Sequence, residues 1–280
     1  MPYALMQSRL EIPDREALRR AFRCGAGLTP MDAPHVARDA FGILLKNLTH
    51  EDAVTLYQAL AREGIETELV DQADLPPLPD WKWVRRVGLR ETGLVICDPL
   101  GRELEIPWEN LALISAGLVW DSEFVKTSRP ASGGADLEDD FSGLFAARAL
   151  NAFGGVGPLG MPLRGPGIPL SSIPETTTQE RQVWRWGADL FLKNVPLRFI
   201  LRPDPLEIIQ PEPITIADPT IRFLELIRSL SQHTPMALTN RVVYALREGH
   251  SDTLRYPSRN AYQEEMIWIL WRLRQAGAAI

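Results

Sequence analysis

Few residues stand at spacings that carry chemistry. His50-Glu51-Asp52 and His250-Ser251-Asp252 set a histidine beside acids. A metal site needs side chains converging at i, i+4 or across strands. Both histidines stand at element ends, next to a helix cap or a helix-terminating glycine, and read as solvated end positions. His35 and His233 read as parts of proline-flanked turns. Cys24 and Cys97 have no Cys-x-x-Cys spacing and read as two small buried hydrophobes, not a zinc or redox pair. No serine lies in G-x-S-x-G, and no Cys/His arrangement suggests a nucleophile. The run Gly155-Val156-Gly157-Pro158-Leu159-Gly160 matches G-x-G-x-x-G. That fingerprint works only between a strand and a helix whose N–H groups meet phosphate. Here Met161-Pro162 follows, so a Gly/Pro segment is expected. No catalytic residue, cofactor or metal ligand is assigned. Carboxylates gathered from distant segments escape a linear reading, and an enzyme built on them stays open.

Trp81-Lys82-Trp83 and Trp184-Arg185-Trp186 alternate aromatic and basic residues. Single-strand nucleic-acid binders interleave these types. On a strand the two tryptophans of each triplet share one face and the cation takes the other. Two such strands in one sheet would form a Trp ladder in the core under a basic stripe. Trp81–Leu89 and Val183–Leu192 are therefore expected in one sheet, despite the long segment between them. The formal charge of −6, from 36 acidic and 30 basic groups, argues against a nucleic-acid or anionic-membrane partner.

The elements that would position these groups follow from periodicity. Tyr3–Ile12 reads as a strand, and Pro13-Asp14 opens a helix through Phe22. Cys24–Pro34 reads as a connection and Asp39–Leu48 as a buried strand. Thr49 is the expected N-cap of a helix burying Ala53, Leu56, Tyr57 and Leu60 and ending at Gly64. Ile65–Val70 is a strand. Leu75-Pro76-Pro77-Leu78-Pro79 is a stiff linker. Beyond it the period falls to two. Strands are expected over Trp81–Leu89, Leu94–Cys97, Arg102–Ile106 and Leu111–Trp120, with a type I turn at Asp98-Pro99-Leu100-Gly101. In the third of these, Leu104 and Ile106 should face the core. Strands at Val183–Leu192 and Leu197–Leu201 follow. Asp218-Pro219 starts a helix with Ile221, Leu224, Ile227 and Leu230 on one side. Helices over Pro235–Leu246 and from Ser258 complete the chain.

Residues 121–182 are rich in Gly, Pro, Ser and Thr, with one exception. After the acids of Leu137-Glu138-Asp139-Asp140, the residues Phe141, Leu144, Phe145, Leu150 and Phe153 fall on one helical face. A helix that short is marginal alone and must dock. The stripe is the candidate partner-binding site, for a protein partner or for the chain's own body.

Composition sets the frame. With 45% apolar and 24% charged residues, the chain is neither a disordered nor a fibrous protein. The N-terminus lacks a basic n-region followed by an apolar run, so cytoplasmic localisation is expected. The longest uncharged run, Ala149–Leu163, is broken by glycine and proline and could not span a bilayer as a helix, so no membrane association is expected.

Phe41–Val70 has an apolar strand, an Asp52-Ala53 helix start, an Arg62-Glu63-Gly64-Ile65 turn and a strand. It resembles the small ferredoxin-like modules of bacterial PII-like signalling proteins, over about a tenth of the chain. From Leu94, the strand, the Asp98-Pro99-Leu100-Gly101 turn, the next strand and Ile106-Pro107-Trp108-Glu109-Asn110-Leu111 are similar to the front half of bacterial pleckstrin-homology-like domains. That family serves mostly as binding or scaffold modules and shares no catalytic residues. The resemblance implies that Val183–Leu201 supplies further strands and Thr220–Leu230 the capping helix.

The expected fold class is thus α+β. It comprises a ferredoxin-like βαβ unit (1–75), an antiparallel pleckstrin-homology-like domain (81–120 and 183–232) split by an insertion (121–182), and a C-terminal helical extension (233–280). The expected function is a non-enzymatic cytoplasmic binding or scaffold protein that docks a partner through the insertion. The alternative is the carboxylate enzyme.

Overall fold

The computed structural model of the chain describes residues 1–25, 32–98, 100–129, 175–209, 218–250 and 255–277. It is an α+β protein. The chain divides into two compact units, Met1–Asp121 with Gln182–Ile280, and Ser122–Arg181. In the second unit the described residues belong to two strands, β8 (Leu111–Arg129) and β9 (Glu175–Leu192).

The N-terminal part of the first unit is a three-stranded sheet of order β2-β1-β3, built from β1 (Tyr3–Gln7), β2 (Ile43–Leu48) and β3 (Thr67–Asp71). The central β1 runs antiparallel to both neighbours. Helices α1 (Arg15–Phe22), α2 (Asp32–Asp39) and α3 (His50–Arg62) pack with it through Leu5, Leu18, Phe22, Ala37, Leu56 and Leu60. Helices α1 and α3 have their caps: Asp14 accepts from the Glu16 N–H, and Thr49 from the Asp52 N–H at 3.2 Å. Gly64, at φ +77°, ends α3 in a Schellman motif, with the Ile65 N–H on the Leu60 carbonyl at 3.0 Å.

Four expectations fail here: Tyr57 lies 42% exposed on α3 instead of buried, and three others fail for local reasons. The first strand stops at Gln7, not Ile12, because the Gln7 side chain bonds the Gly42 N–H (2.7 Å) and the Glu11 carbonyl (2.8 Å) and turns the chain. Helix α2 begins inside the expected connection, since Pro34 is tolerated in a first helical turn. Consequently β2 starts only at Ile43.

The remainder holds two sheets. One has the order β11-β5-β6-β7, from β5 (Arg86–Leu89), β6 (Gly93–Cys97), β7 (Glu103–Pro107) and β11 (Glu207–Ile209). The other has the order β12-β8-β9-β10-β4, from β4 (Asp80–Trp83), β10 (Leu197–Leu201) and β12 (Leu238–Thr239) with β8 and β9; β13 (Arg255–Tyr256) also pairs with β8. Helices α4 (Pro219–His233), α5 (Arg241–Arg247) and α6 (Arg259–Gln275) share one core with both sheets, through Val87, Leu94, Leu113, Phe223, Leu230 and Met266.

The expected strand Trp81–Leu89 is therefore two strands in different sheets. Its first half does share a sheet with β9, with β10 between them. The β6–β7 turn forms with Gly101 at φ +79°, and the Asp98 carboxylate takes the Leu100 and Arg102 N–H groups, each at 2.9 Å. Leu104 does not face the core: it lies 44% exposed on β7, an outer strand of its sheet. Helix α4 is rotated from its expected face. It buries Phe223, Leu226, Ile227 and Leu230 and leaves Ile221 exposed.

Helix α6 lies in the core, not in a peripheral extension. One stripe, Trp268, Trp271 and Arg272, meets the three-stranded sheet: Trp268 Nε1 donates to the Gln7 carbonyl (2.8 Å), and Arg272 Nη2 donates to the Ser8 carbonyl (2.7 Å) and Glu68 (2.8 Å). Another stripe, Arg259, Tyr262, Gln263 and Met266, follows the i, i+3, i+4, i+7 spacing and faces the six-stranded sheet.

Candidate functional site

That second stripe of α6 roofs the site. Its floor is set by the alternation of β9 and β10. In β9, Arg185, Gly187 and Asp189 share one face. In β10, Arg198 and Ile200 share a face, and Arg202 follows in the same alternation just past the strand end. The register pairs Asp189 with Ile200, so the two sets are coplanar neighbours. Gly187 leaves a gap, because a Cβ there would meet only the Leu201 carbonyl oxygen, at 3.8 Å. The result is a cleft of about 60 Å³ bordered by Arg185, Arg198, Arg202 and Arg259, with Asp189 as the one carboxylate among the described residues.

The deepest groups form a triad. The Tyr262 hydroxyl donates to Asp189 Oδ2 at 2.7 Å, and Arg198 Nε lies 3.5 Å from Asp189 Oδ1. Burial pushes the Asp189 pKa up, against the Tyr262 hydrogen bond and the charges of Arg198, Arg259 and Arg202. Burial and the Asp189 charge push the Tyr262 phenol well up. Arg198 is 7% exposed, and its buried Nε hydrogen-bonds to no protein acceptor.

A second triad stands beside the first. The Tyr256 hydroxyl donates to Glu265 Oε2 at 2.6 Å, the Arg241 N–H donates to Glu265 Oε1 at 2.8 Å, and Arg241 Nε lies 3.5 Å from Oε2. The Arg241 guanidinium lies over the rings of Phe41 (4.2 Å) and Tyr256 (4.4 Å). Asn240 joins it to the sheet, donating to the Tyr256 hydroxyl and the Ala116 carbonyl, both at 2.7 Å. Burial also raises the Glu265 pKa. The Tyr256 and Tyr262 rings meet edge to face at 5.0 Å.

Larger recesses exist: one of about 210 Å³ is bordered by Arg15, Arg38, Asp39, Arg241 and Arg255, and one of about 360 Å³ is mostly acidic, with Glu11, Asp14, Glu63 and Glu66 beside Arg9 and Arg20. The 620 Å³ recess beside α2 and β2 holds the Lys46–Glu264 pair at 2.8 Å.

The tryptophans do not form a buried ladder. Register places Trp81 beside Arg198 and Trp83 beside Ile200, on the cleft face of the sheet. Trp184 and Trp186 alternate with Arg185 and Gly187 along β9, and Trp186 also borders the cleft. Trp81, Trp83 and Trp184 are exposed. The cause is position: β4 is the sheet edge, and all four of its residues face solvent. Trp184 packs edge-on against Trp120 at 4.6 Å.

Of the histidines, His50 opens α3 and packs edge-on against Tyr3, and His250 follows Gly249. His233 is the last residue of α4, not part of a turn; its ring stacks on Trp108 at 5.0 Å, and its Nδ1 meets the Ser229 carbonyl. His35 lies in α2. Cys97 is buried and its thiol pKa is raised, chiefly by burial. Cys24 is exposed, contrary to expectation, because it follows the end of α1. The stripe Phe141, Leu144, Phe145, Leu150 and Phe153, and the glycine run 155–160, lie outside the described residues. Among the described residues no cluster of His, Cys, Asp and Glu could hold a metal ion, and no helix is long and apolar enough to cross a membrane.

Sequence reasoning missed the cleft. Its signal was present: Arg185-x-Gly187-x-Asp189 and Arg198-x-Ile200-x-Arg202 put charges at alternate positions of two otherwise apolar strands flanking one turn. No family model, curated protein or solved structure matches the chain.

Proposed function

We propose that the protein is a non-enzymatic binding or scaffold protein, and that the arginine-lined cleft is its recognition element. The observation that carries this reading is the convergence of four arginines on a cleft whose one carboxylate is engaged by Tyr262 and Arg198. A guanidinium keeps its proton at any physiological pH. It holds negative charge and does not shuttle protons, which favours recognition over acid–base turnover at this place. A carboxylate enzyme would draw on Glu265 as well, and that side chain is fully buried with both oxygens engaged.

The finer fold reading belongs to the same proposal. The arrangement β2–α3–β3, two parallel strands with β1 between them, supports a ferredoxin-like half-module. The β5–β6–β7 meander, followed by β8 and then by β9, β10 and α4, supports a pleckstrin-homology-like body interrupted at residues 121–182. In this reading Phe141, Leu144, Phe145, Leu150 and Phe153 dock a protein partner in a cytoplasmic setting, with no nucleic acid or membrane involved.

The test is affinity capture by the intact protein beside a variant lacking residues 122–180. The expected result is an unchanged fold by circular dichroism and loss of a co-purifying protein. Identical captures would overturn docking through this segment. Absence of saturable anion binding by the intact protein would overturn the cleft.

A further inference from the structure

The cleft, if it is the recognition element, also specifies its ligand, and this inference rests on that reading. Three features define what enters. The first is size: about 60 Å³ admits a small group of a few heavy atoms. The space exists because residue 187 has no side chain. The second is an unmet donor. Arg198 is more than nine-tenths buried beside the cavity; its Nε lies 3.5 Å from Asp189 Oδ1 and makes no hydrogen bond among the described residues. The ion pair leaves that N–H without a hydrogen bond, and an entering oxygen atom could accept it. The third is the direction of the cations. Arg185 comes from β9, Arg198 and Arg202 from β10 and its end, and Arg259 from the first turn of α6. The two oxygens of a carboxylate satisfy one guanidinium fork. A tetrahedral group with three terminal oxygens meets cations from several directions.

Beyond the rim on the same sheet face stand Trp81 and Trp83, one strand spacing (~4.8 Å) from β10. They meet edge to face at 5.3 Å, and Trp81 is half exposed. The Arg202 guanidinium, which borders the cleft, lies 5.2 Å from the Trp83 ring centre. The charged cavity and the exposed rings are thus continuous. We propose that the cleft binds the phosphate group of a small ligand whose other end is a flat ring, with that ring lying on Trp81 and Trp83.

Isothermal titration of the full-length protein at fixed ionic strength tests this with inorganic phosphate, acetate, adenosine and adenosine 5′-monophosphate as probes. Phosphate is expected to bind saturably and at least ten-fold more tightly than acetate. The nucleotide should bind at least ten-fold more tightly than phosphate, and adenosine should not saturate. Gly187→Leu fills the cavity without changing charge and should abolish binding of both phosphate and nucleotide. Should that variant misfold by circular dichroism, Arg202→Gln replaces it, with an expected loss of ten-fold or more for both. Trp81→Ala should leave phosphate binding intact and remove the nucleotide's advantage. Acetate binding as tightly as phosphate would overturn the phosphate assignment and leave the cleft as an anion site. Phosphate binding undiminished in the folded variant would place the anion elsewhere and overturn the site. A nucleotide no tighter than phosphate would overturn the role of the tryptophans.

Discussion

The two triads beside α6 are built from the same parts and put to different uses. Each sets a buried carboxylate between a tyrosine hydroxyl and an arginine: Tyr262–Asp189–Arg198 and Tyr256–Glu265–Arg241. In both, burial raises the pKa of the acid. At Glu265 the packing is tighter, although Arg241 Nε, like Arg198 Nε, makes no hydrogen bond among the described residues, and Arg241 borders a recess with Arg15, Arg38 and Arg255. Both oxygens have partners, the cation lies over two aromatic rings, and Asn240 ties the tyrosine to β8. At Asp189 a residue without a side chain leaves a cavity, and three more arginines border it. A matched buried ion pair is structural cement. The same pair beside an unfilled cavity bordered by further arginines is the shape of a recognition site.

Several substitutions would break or sharpen that contrast. The largest effect is expected at the closed triad. Glu265→Ala leaves the Tyr256 hydroxyl and the Arg241 cation buried without their acceptor and should cost about 3–5 kcal/mol by urea denaturation. Gly117→Ala comes next. A Cβ there would lie 2.5 Å from Tyr256 Cε2 but 3.5 Å from Tyr262 Cδ2, so it strains the closed triad first. A loss of about 1–3 kcal/mol is expected. Asp189→Asn should cost less, about 1 kcal/mol, because the amide oxygen still accepts from Tyr262. It should also change the pH response. The folded-state pKa of Asp189 is raised above the ordinary 3.8, so its contribution is fully present below that value and is lost as pH rises through the raised value. Urea midpoints measured upward from pH 4 should fall less steeply in Asp189→Asn than in the wild type. The smallest effect is at Trp81→Ala, on the exposed sheet edge, within about 0.5 kcal/mol. Glu265→Ala and Asp189→Asn with equal losses would erase the distinction between the triads.

What could be read from the sequence was what local chemistry decides. Thr49, Gly64, Asp218 with Pro219, and Ser258 all serve at helix ends as read, because a cap is settled within four residues. The Asp98–Gly101 turn closes as expected, with Gly101 at positive φ. In α6 the apolar spacing of Tyr262, Met266, Ile269 and Leu270 marks a buried face, but the second stripe, with Trp268 and Trp271, could not be read, because it depends on another sheet meeting the same helix. The same holds for the tryptophans. Alternation placed each pair on one side of its strand, but which side, and that β4 would be an edge, follow from the intervening β10. The cleft is tertiary in the same way: its charges come from β9, the end of β10 and α6, and its space from Gly187.

The direct test of the contrast is an NMR titration that resolves arginine Nε–H signals while inorganic phosphate is added at pH 7 and fixed ionic strength. The Arg198 Nε signal should shift saturably, and the Arg241 signal should stay in place. Joint movement of the two, or a stationary Arg198 signal at saturating phosphate, would contradict the reading of one triad as closed structure and the other as a site.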